Sequence, residues 1–168
     1  EGEFYFMEMN TRLQVEHPVT EQTWGIDLVK EQIKSALGEK LSYQQKKLGS
    51  SGVAIECRIN AENPDDDFKT CPGRITEFIP PGGLGVRVDT HACSGYEVPP
   101  FYDSMIAKLV VYQNNRKDAL SCLRRALAEF TIDGIDTTIP FYRELIQHGG
   151  YISGDFDINF VSELLESR

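Results

Sequence analysis

The chain has 168 residues, 40% of them hydrophobic and 26% charged, with a formal net charge of −9. That composition belongs to a globular protein able to bury a core, and the acidic balance argues against a nucleic-acid groove or an anionic membrane surface as partner. No apolar run approaches the roughly 18 residues of a membrane span; the best, Met105 to Tyr112, is interrupted by Lys108.

In chain order, residues 1–10 read as a strand, with an aromatic and apolar run at Phe4-Tyr5-Phe6-Met7. The chain enters this run directly at Glu1, which suggests a piece of a longer protein. Thr20 to Leu37 reads as one helix, because Ile26, Val29, Ile33 and Leu37 fall at helical spacing and Gly38 suits its C-terminus. Residues 39–51 are polar and read as a connector. Strands are expected at Val53–Ile59, Ile75–Ile79, Val86–Thr90 and Ser104–Tyr112, separated by the turn-forming stretches NPDDD, CPG, PPGG and VPP. Three helices then close the chain, capped by Asn115, Thr138 and Asp157, with Pro140 in the first turn of the second. Strands first and helices last give an α+β fold, an antiparallel sheet with helices packed beside it.

The stretch MEMNTRLQVEHPVTE, residues 7–21, poses the functional question. Glu8, Asn10, Arg12, Gln14 and Glu16 recur at every second position, so an extended segment points all five the same way. An edge strand with a solvated face is one reading. A ligand-binding wall is the other. A carboxylate and an amide oxygen two residues apart suit a hard cation that keeps phosphates and waters as its other ligands, and Arg12 offers a planar fork for a carboxylate, phosphate or carbonate. Glu8 to Glu16 fully extended would span roughly 26 Å at about 3.3 Å per residue. That is too long for one small ligand, so either the chain bends after Asn10 or the two ends serve different parts of a large one.

The other candidates are weaker. GGLG at 82–85 lacks the spacing of a phosphate loop and has no lysine after it, so a hairpin turn is expected. Asp65-Asp66-Asp67 lacks the alternate ligands and distal glutamate of an EF-hand loop and reads as a solvated loop. His17, His91 and His148 show no metal-ligand spacing and read as structural; His17, before Pro18, is expected to be extended. Cys57, Cys71, Cys93 and Cys122 contain no C-x-x-C pair, so a zinc ribbon is not expected. Reduced, buried thiols of the cytoplasm, or of an organelle matrix or stroma, are the simpler reading. In IECRINAE, alternation puts Ile55, Cys57 and Ile59 on one face and Glu56, Arg58 and Asn60 on the other.

EMNTRLQVEHPVTE resembles the signature of biotin carboxylase, the ATP-grasp component of biotin-dependent carboxylases. ECRINAE, PGRIT, PPGGLGVRVD, PPFYDSMIAKL and ALAEFTIDGIDTTIPF resemble the same family in the same order, and together they cover nearly the whole chain. The resemblance implies the end of an ATP-grasp domain over residues 1–40, a connector over 41–51 and a biotin carboxylase C-terminal domain over 52–168. The expected function is then that of a C-terminal fragment of an ATP-dependent ligase. The full-length enzyme carboxylates biotin on its carrier protein with bicarbonate and MgATP, through carboxyphosphate; the fragment alone is expected to be inactive.

Residue by residue, Glu8 and Asn10 match the family's ligands to Mg²⁺ or Mn²⁺ on the ATP phosphates. Arg12 matches the bicarbonate-binding arginine, aided by the Gln14 side chain and the Val15 backbone, and Glu16 matches the base. Arg58 matches the arginine facing the ureido oxygen of biotin. Implied partners are a biotin carboxyl carrier protein or domain, a carboxyltransferase component and a second full-length copy in a homodimer, with no nucleic acid. Leu84 stands where some relatives carry an aromatic residue in the loop resembling the dimer contact, whereas Arg87 is retained. Two alternatives are another ATP-grasp ligase of the carbamoyl-phosphate synthetase type, to which Q-V-E-H-P and ECRINAE do not belong, and a non-catalytic dimerisation module.

Overall fold

A computed structural model describes residues 2–166. It resolves into two compact units, Glu1–Ser51 and Gly52–Arg168.

In the first unit the run Phe4-Tyr5-Phe6-Met7 is irregular, and each of these side chains is 80% or more exposed. The expected strand at 1–10 is absent over the described residues 2–10. A strand exists through its ladder, and no described strand pairs with this segment. The expected single helix is two: α1 (His17–Trp24) and α2 (Leu28–Ala36). Gly25 adopts a left-handed conformation at φ 66°, and its N–H donates to the Glu21 carbonyl, which ends α1. Asp27 then starts α2 by accepting the Lys30 N–H at 2.8 Å. His17, expected to be extended, instead opens α1 with Pro18 just inside the helix start, where the ring displaces no helical hydrogen bond. The expected apolar stripe of α2 does not face inward, since Val29, Ile33 and Leu37 are exposed. Gly38 does terminate the helix, at φ 80°, while the Glu39 N–H reaches back to the Lys34 carbonyl. Residues after it fold back within this unit. The buried Glu31 carboxylate accepts the Ser42 N–H at 2.8 Å and Lys34 Nζ at 3.2 Å, and the Ser42 bond holds the Glu31 carboxyl below its ordinary value.

The second unit is built on strands β1 (Val53–Asn60), β2 (Glu62–Asn63), β3 (Lys69–Thr70), β4 (Gly73–Arg74), β5 (Glu77–Ile79), β6 (Val86–Thr90), β7 (Glu97–Val98), β8 (Met105–Gln113) and β9 (Thr131–Asp133). Helices α3 (Arg116–Glu129), α4 (Ile139–Leu145), α5 (Gly149–Ser153) and α6 (Phe160–Glu166) follow β8, with β9 set between α3 and α4. The main sheet is antiparallel in the order β1-β8-β6, and the short strands form the ribbons β2-β3, β4-β7 and β5-β9. This is the α+β arrangement expected from the strand and helix pattern.

Register places Cys57 opposite Leu109 and Leu109 opposite Val88. This face, with Ile55, Ile59 and Val111, packs on Leu123, Ala126 and Leu127 of α3 in one core. Asn115 caps α3 as expected, accepting the Asp118 N–H at 3.0 Å. Phe130 at the end of α3 meets Phe78 edge to face, with centroids 5.5 Å apart. A second cluster joins Phe141, Leu145 and Leu164.

Two expectations fail locally. GGLG is a turn, but its flanking strands β5 and β6 join different sheets, so no hairpin forms. Thr138 makes no side-chain cap on α4; its hydroxyl is taken by β1. The pairing of β9 with β5 and the short α5 were too brief to leave a periodic signal.

Burial beside Glu56 pushes the Cys57 thiol up to about 12, whereas Cys93 is exposed. At pH 8 a thiol-specific reagent should therefore label Cys93 in the native protein and reach Cys57 only after denaturant is added. Rapid native labelling of Cys57, located by peptide mapping, would contradict its place in the core.

Candidate active site

The five alternating residues do not form one straight wall. Glu8 and Asn10 lie on irregular, exposed chain, and Arg12 sits at a bend. Gln14 to Glu16 form the turn that feeds α1, closed by the His17 N–H to the Gln14 carbonyl and the Val19 N–H to the Glu16 carbonyl, each at 3.2 Å. A small ligand can meet both ends of this stretch only if the chain bends, and the bend falls at Arg12. Glu16 occupies the N-cap position of α1 with its side chain making no cap hydrogen bond, and it is exposed. His17 is structural: its Nδ1 lies 3.0 Å from the Glu21 carboxylate, which also accepts the Leu28 N–H at 3.0 Å and so joins α1 to the start of α2.

Glu8 and Asn10 are two exposed oxygen donors, two residues apart. Such a pair fits a divalent hard cation whose remaining ligands are phosphate and water. Among the described residues, no group of three His, Cys, Asp or Glu forms a protein cage of its own.

Arg58 belongs to the second unit. It is exposed on β1, on the face opposite Cys57 and Ile59. Across the sheet it stands opposite Lys108 on β8, and Lys108 stands opposite Asp89 on β6. Asp89 is gripped by Arg87 through two bonds of 2.8 and 2.7 Å and lies 3.9 Å from Lys108. Two cations facing each other across strands repel, and the Asp89 carboxylate beside Lys108 offsets this. The carbonyl of Arg58 accepts from two side chains of the α4 segment, Thr138 Oγ1 and the Tyr142 hydroxyl, each at 3.0 Å. Thr138 is expected from the sequence only as a helix cap and Tyr142 carries no sequence signal, because no local spacing links 58 with 138 and 142.

A bent, polar segment with candidate metal, anion and base positions is followed in the chain by an antiparallel α+β unit. Residues 56–163 match the family described as the biotin carboxylase C-terminal domain, and residues 1–44 match the ATP-binding domain of the carbamoyl-phosphate synthase L chain. The chain belongs to the biotin carboxylase family. It is 56% identical over 161 residues to biotin carboxylase 1 of Bacillus subtilis, covering 96% of this chain and 36% of that protein. The biotin carboxylase of a Nostoc species is 50% identical over 97% of this chain and 36% of its own length. Among solved structures, the biotin carboxylase domain of Hydrogenobacter thermophilus 2-oxoglutarate carboxylase, a dimer in complex with MgADP and bicarbonate, matches with a TM-score of 0.93 at 44% identity, covering 96% of this chain and 36% of that one. The chain thus spans about a third of the length of the curated relatives it matches. Because the relatives that cover both units are biotin carboxylases, the carbamoyl-phosphate synthetase alternative is not favoured.

Proposed function

We propose that this chain is the carbonate- and biotin-handling part of an enzyme that carboxylates biotin on a carrier protein, using bicarbonate and MgATP. The observation carrying this reading is the identity of 56% to a biotin carboxylase across both units, continuous through the bent segment and the sheet. In the reaction, Arg12 holds bicarbonate with its planar fork, assisted by Gln14 and the Val15 backbone. Glu16 takes the bicarbonate proton so that the dianion can attack the γ-phosphate of ATP, giving carboxyphosphate and ADP. Carboxyphosphate yields CO₂ and phosphate, and the phosphate accepts the N1 proton of biotin. Arg58 stabilises the negative charge that develops on the ureido oxygen as N1 attacks CO₂. Glu8 and Asn10 would hold a divalent cation, which would supply neutralisation of charge on the ATP phosphates.

Residues 1–40 would belong to the ATP-grasp domain, 41–51 to a connector and 52–168 to the C-terminal domain. A homodimer of the complete enzyme is supported by the dimeric 2-oxoglutarate carboxylase domain and by Leu84, which is 94% exposed on its loop. A biotin carrier and a carboxyltransferase component are the further partners. No described helix is long and apolar enough to cross a membrane; a cytoplasmic or stromal setting accords with bacterial and chloroplastic relatives.

The test is a complete biotin carboxylase carrying this segment, for example the Bacillus subtilis protein with the matching third replaced. It should form ADP from ATP in the presence of bicarbonate and biotin, whereas residues 1–168 alone should release no phosphate from the same mixture. Phosphate release by the isolated segment, or a complete chimera that folds but carboxylates no biotin, would overturn the proposal.

A further inference from the structure

Arg58 sits on an edge strand, because β1 pairs with β8 on one side and with no described strand on the other. On its paired edge the ladder to β8 is irregular here, with the register shifting between Ile59 and Asn60. The segment entering α4 covers this edge. Thr138 is buried, and its hydroxyl donates to the Arg58 carbonyl while accepting the Asn60 N–H at 3.1 Å. The Thr138 N–H donates to the Asn60 carbonyl at 3.1 Å. One turn along α4, the Tyr142 hydroxyl donates to the same Arg58 carbonyl. These four bonds satisfy the Arg58 carbonyl and the N–H and carbonyl of Asn60, where a neighbouring strand would otherwise do so.

Building on the role proposed for Arg58, we infer that Thr138 and Tyr142 are positioning residues that clamp the outer edge of β1 and thereby fix where the Arg58 guanidinium meets biotin. The Arg58 side chain is long and exposed, so the position of its backbone helps to set where its head lies. β8 holds one edge; Thr138 and Tyr142 hold the other, across the point where the ladder is irregular. The phenol is a durable donor, since burial pushes its pKa above the ordinary tyrosine value. Neither hydroxyl is needed for the bicarbonate or nucleotide steps, which use residues of the first unit.

The experiment uses a complete biotin carboxylase carrying this segment. The Tyr142→Phe/Thr138→Val pair removes the two donors while keeping side-chain volume. The KM for biotin should rise about tenfold or more, the expected scale for a misplaced binding group, while biotin-independent, bicarbonate-dependent ATP cleavage stays within about twofold. Thr138→Ser alone, which keeps the oxygen, should retain most of the affinity that Thr138→Val alone loses. Arg58→Ala is measured alongside. If Arg58→Ala raises the biotin KM and the double variant does not, the clamp is wrong and the role of Arg58 stands. If the double variant lowers both activities equally and Thr138→Ser behaves like Thr138→Val, the residues are structural only and the inference fails. If Arg58→Ala leaves biotin kinetics unchanged, the role proposed for Arg58 fails first and the clamp with it.

Discussion

In the complete enzyme, Arg58→Ala should lower biotin carboxylation by about 10²–10³-fold, the scale for losing one preorganised group that stabilises developing charge, while bicarbonate-dependent ATP cleavage falls far less. Glu16→Ala should depress both reactions by about 10²–10⁴-fold, the contribution of a positioned base. The difference follows from where each residue stands in the reaction. In the proposed reaction bicarbonate must lose its proton before phosphoryl transfer, so losing Glu16 should stop the sequence at its start. In the proposed reaction Arg58 acts after carboxyphosphate has formed, on a different substrate, and it belongs to the second unit. Measuring ADP formation with and without biotin, and carboxybiotin directly, separates the two steps. Equal losses in both assays for both variants would contradict the assigned roles.

A second large effect is expected at Gly134, just after β9. Its φ is +97°, a conformation other residues adopt only with strain. A methyl group there would overlap the Arg74 carbonyl oxygen and stand 2.9 Å from the Thr76 nitrogen. Neither neighbour can easily retreat: the Thr76 N–H donates to the Asp133 carbonyl at 2.8 Å, and Glu77 pairs with Asp133 in the β5-β9 ribbon. Gly134→Ala should therefore cost about 3 kcal/mol or more, combining backbone strain with displacement of packed backbone. For a chain of this size that is roughly a 10 °C fall in Tm. Gly83→Ala is the control. It has a similar φ of +98°, but its nearest neighbour is the end of the Arg125 side chain at 3.5 Å. It suffers strain alone and should lose clearly less. Equal losses at the two sites by calorimetry would remove the steric part of the explanation.

The sequence was legible where one signal dominated. The alternation in IECRIN gave the two faces of β1, and Asn115 with Asp118 marked the start of α3, because both depend on neighbours close in the chain. Across residues 20–37 hydrophobic spacing suggests one long helix, but Gly25 followed by Asp27 is a stop and a fresh cap, and together they outweigh a stripe that stays exposed. The strand at residues 1–10 was misread because β-propensity describes fit to a partner that these residues do not have among the described strands. Thr138 was recognised as a helix-start residue, yet its hydroxyl is satisfied 80 positions upstream in the chain, a pairing no window of sequence can display. The polar residues of the candidate site were readable from their spacing, but the bend at Arg12 was visible only as a length mismatch.

The alignment of β1 on β8 has a consequence for inheritance of the fold. Sliding β1 by a single residue would exchange the outward and inward sets, sending the Arg58 guanidinium among Leu109, Leu123 and Leu127 and turning Cys57 and Ile59 to water. The hydrocarbon interior thus acts as a proofreader for the orientation of Arg58. Substitutions that thin out that interior should blur which way Arg58 faces before they unfold the domain.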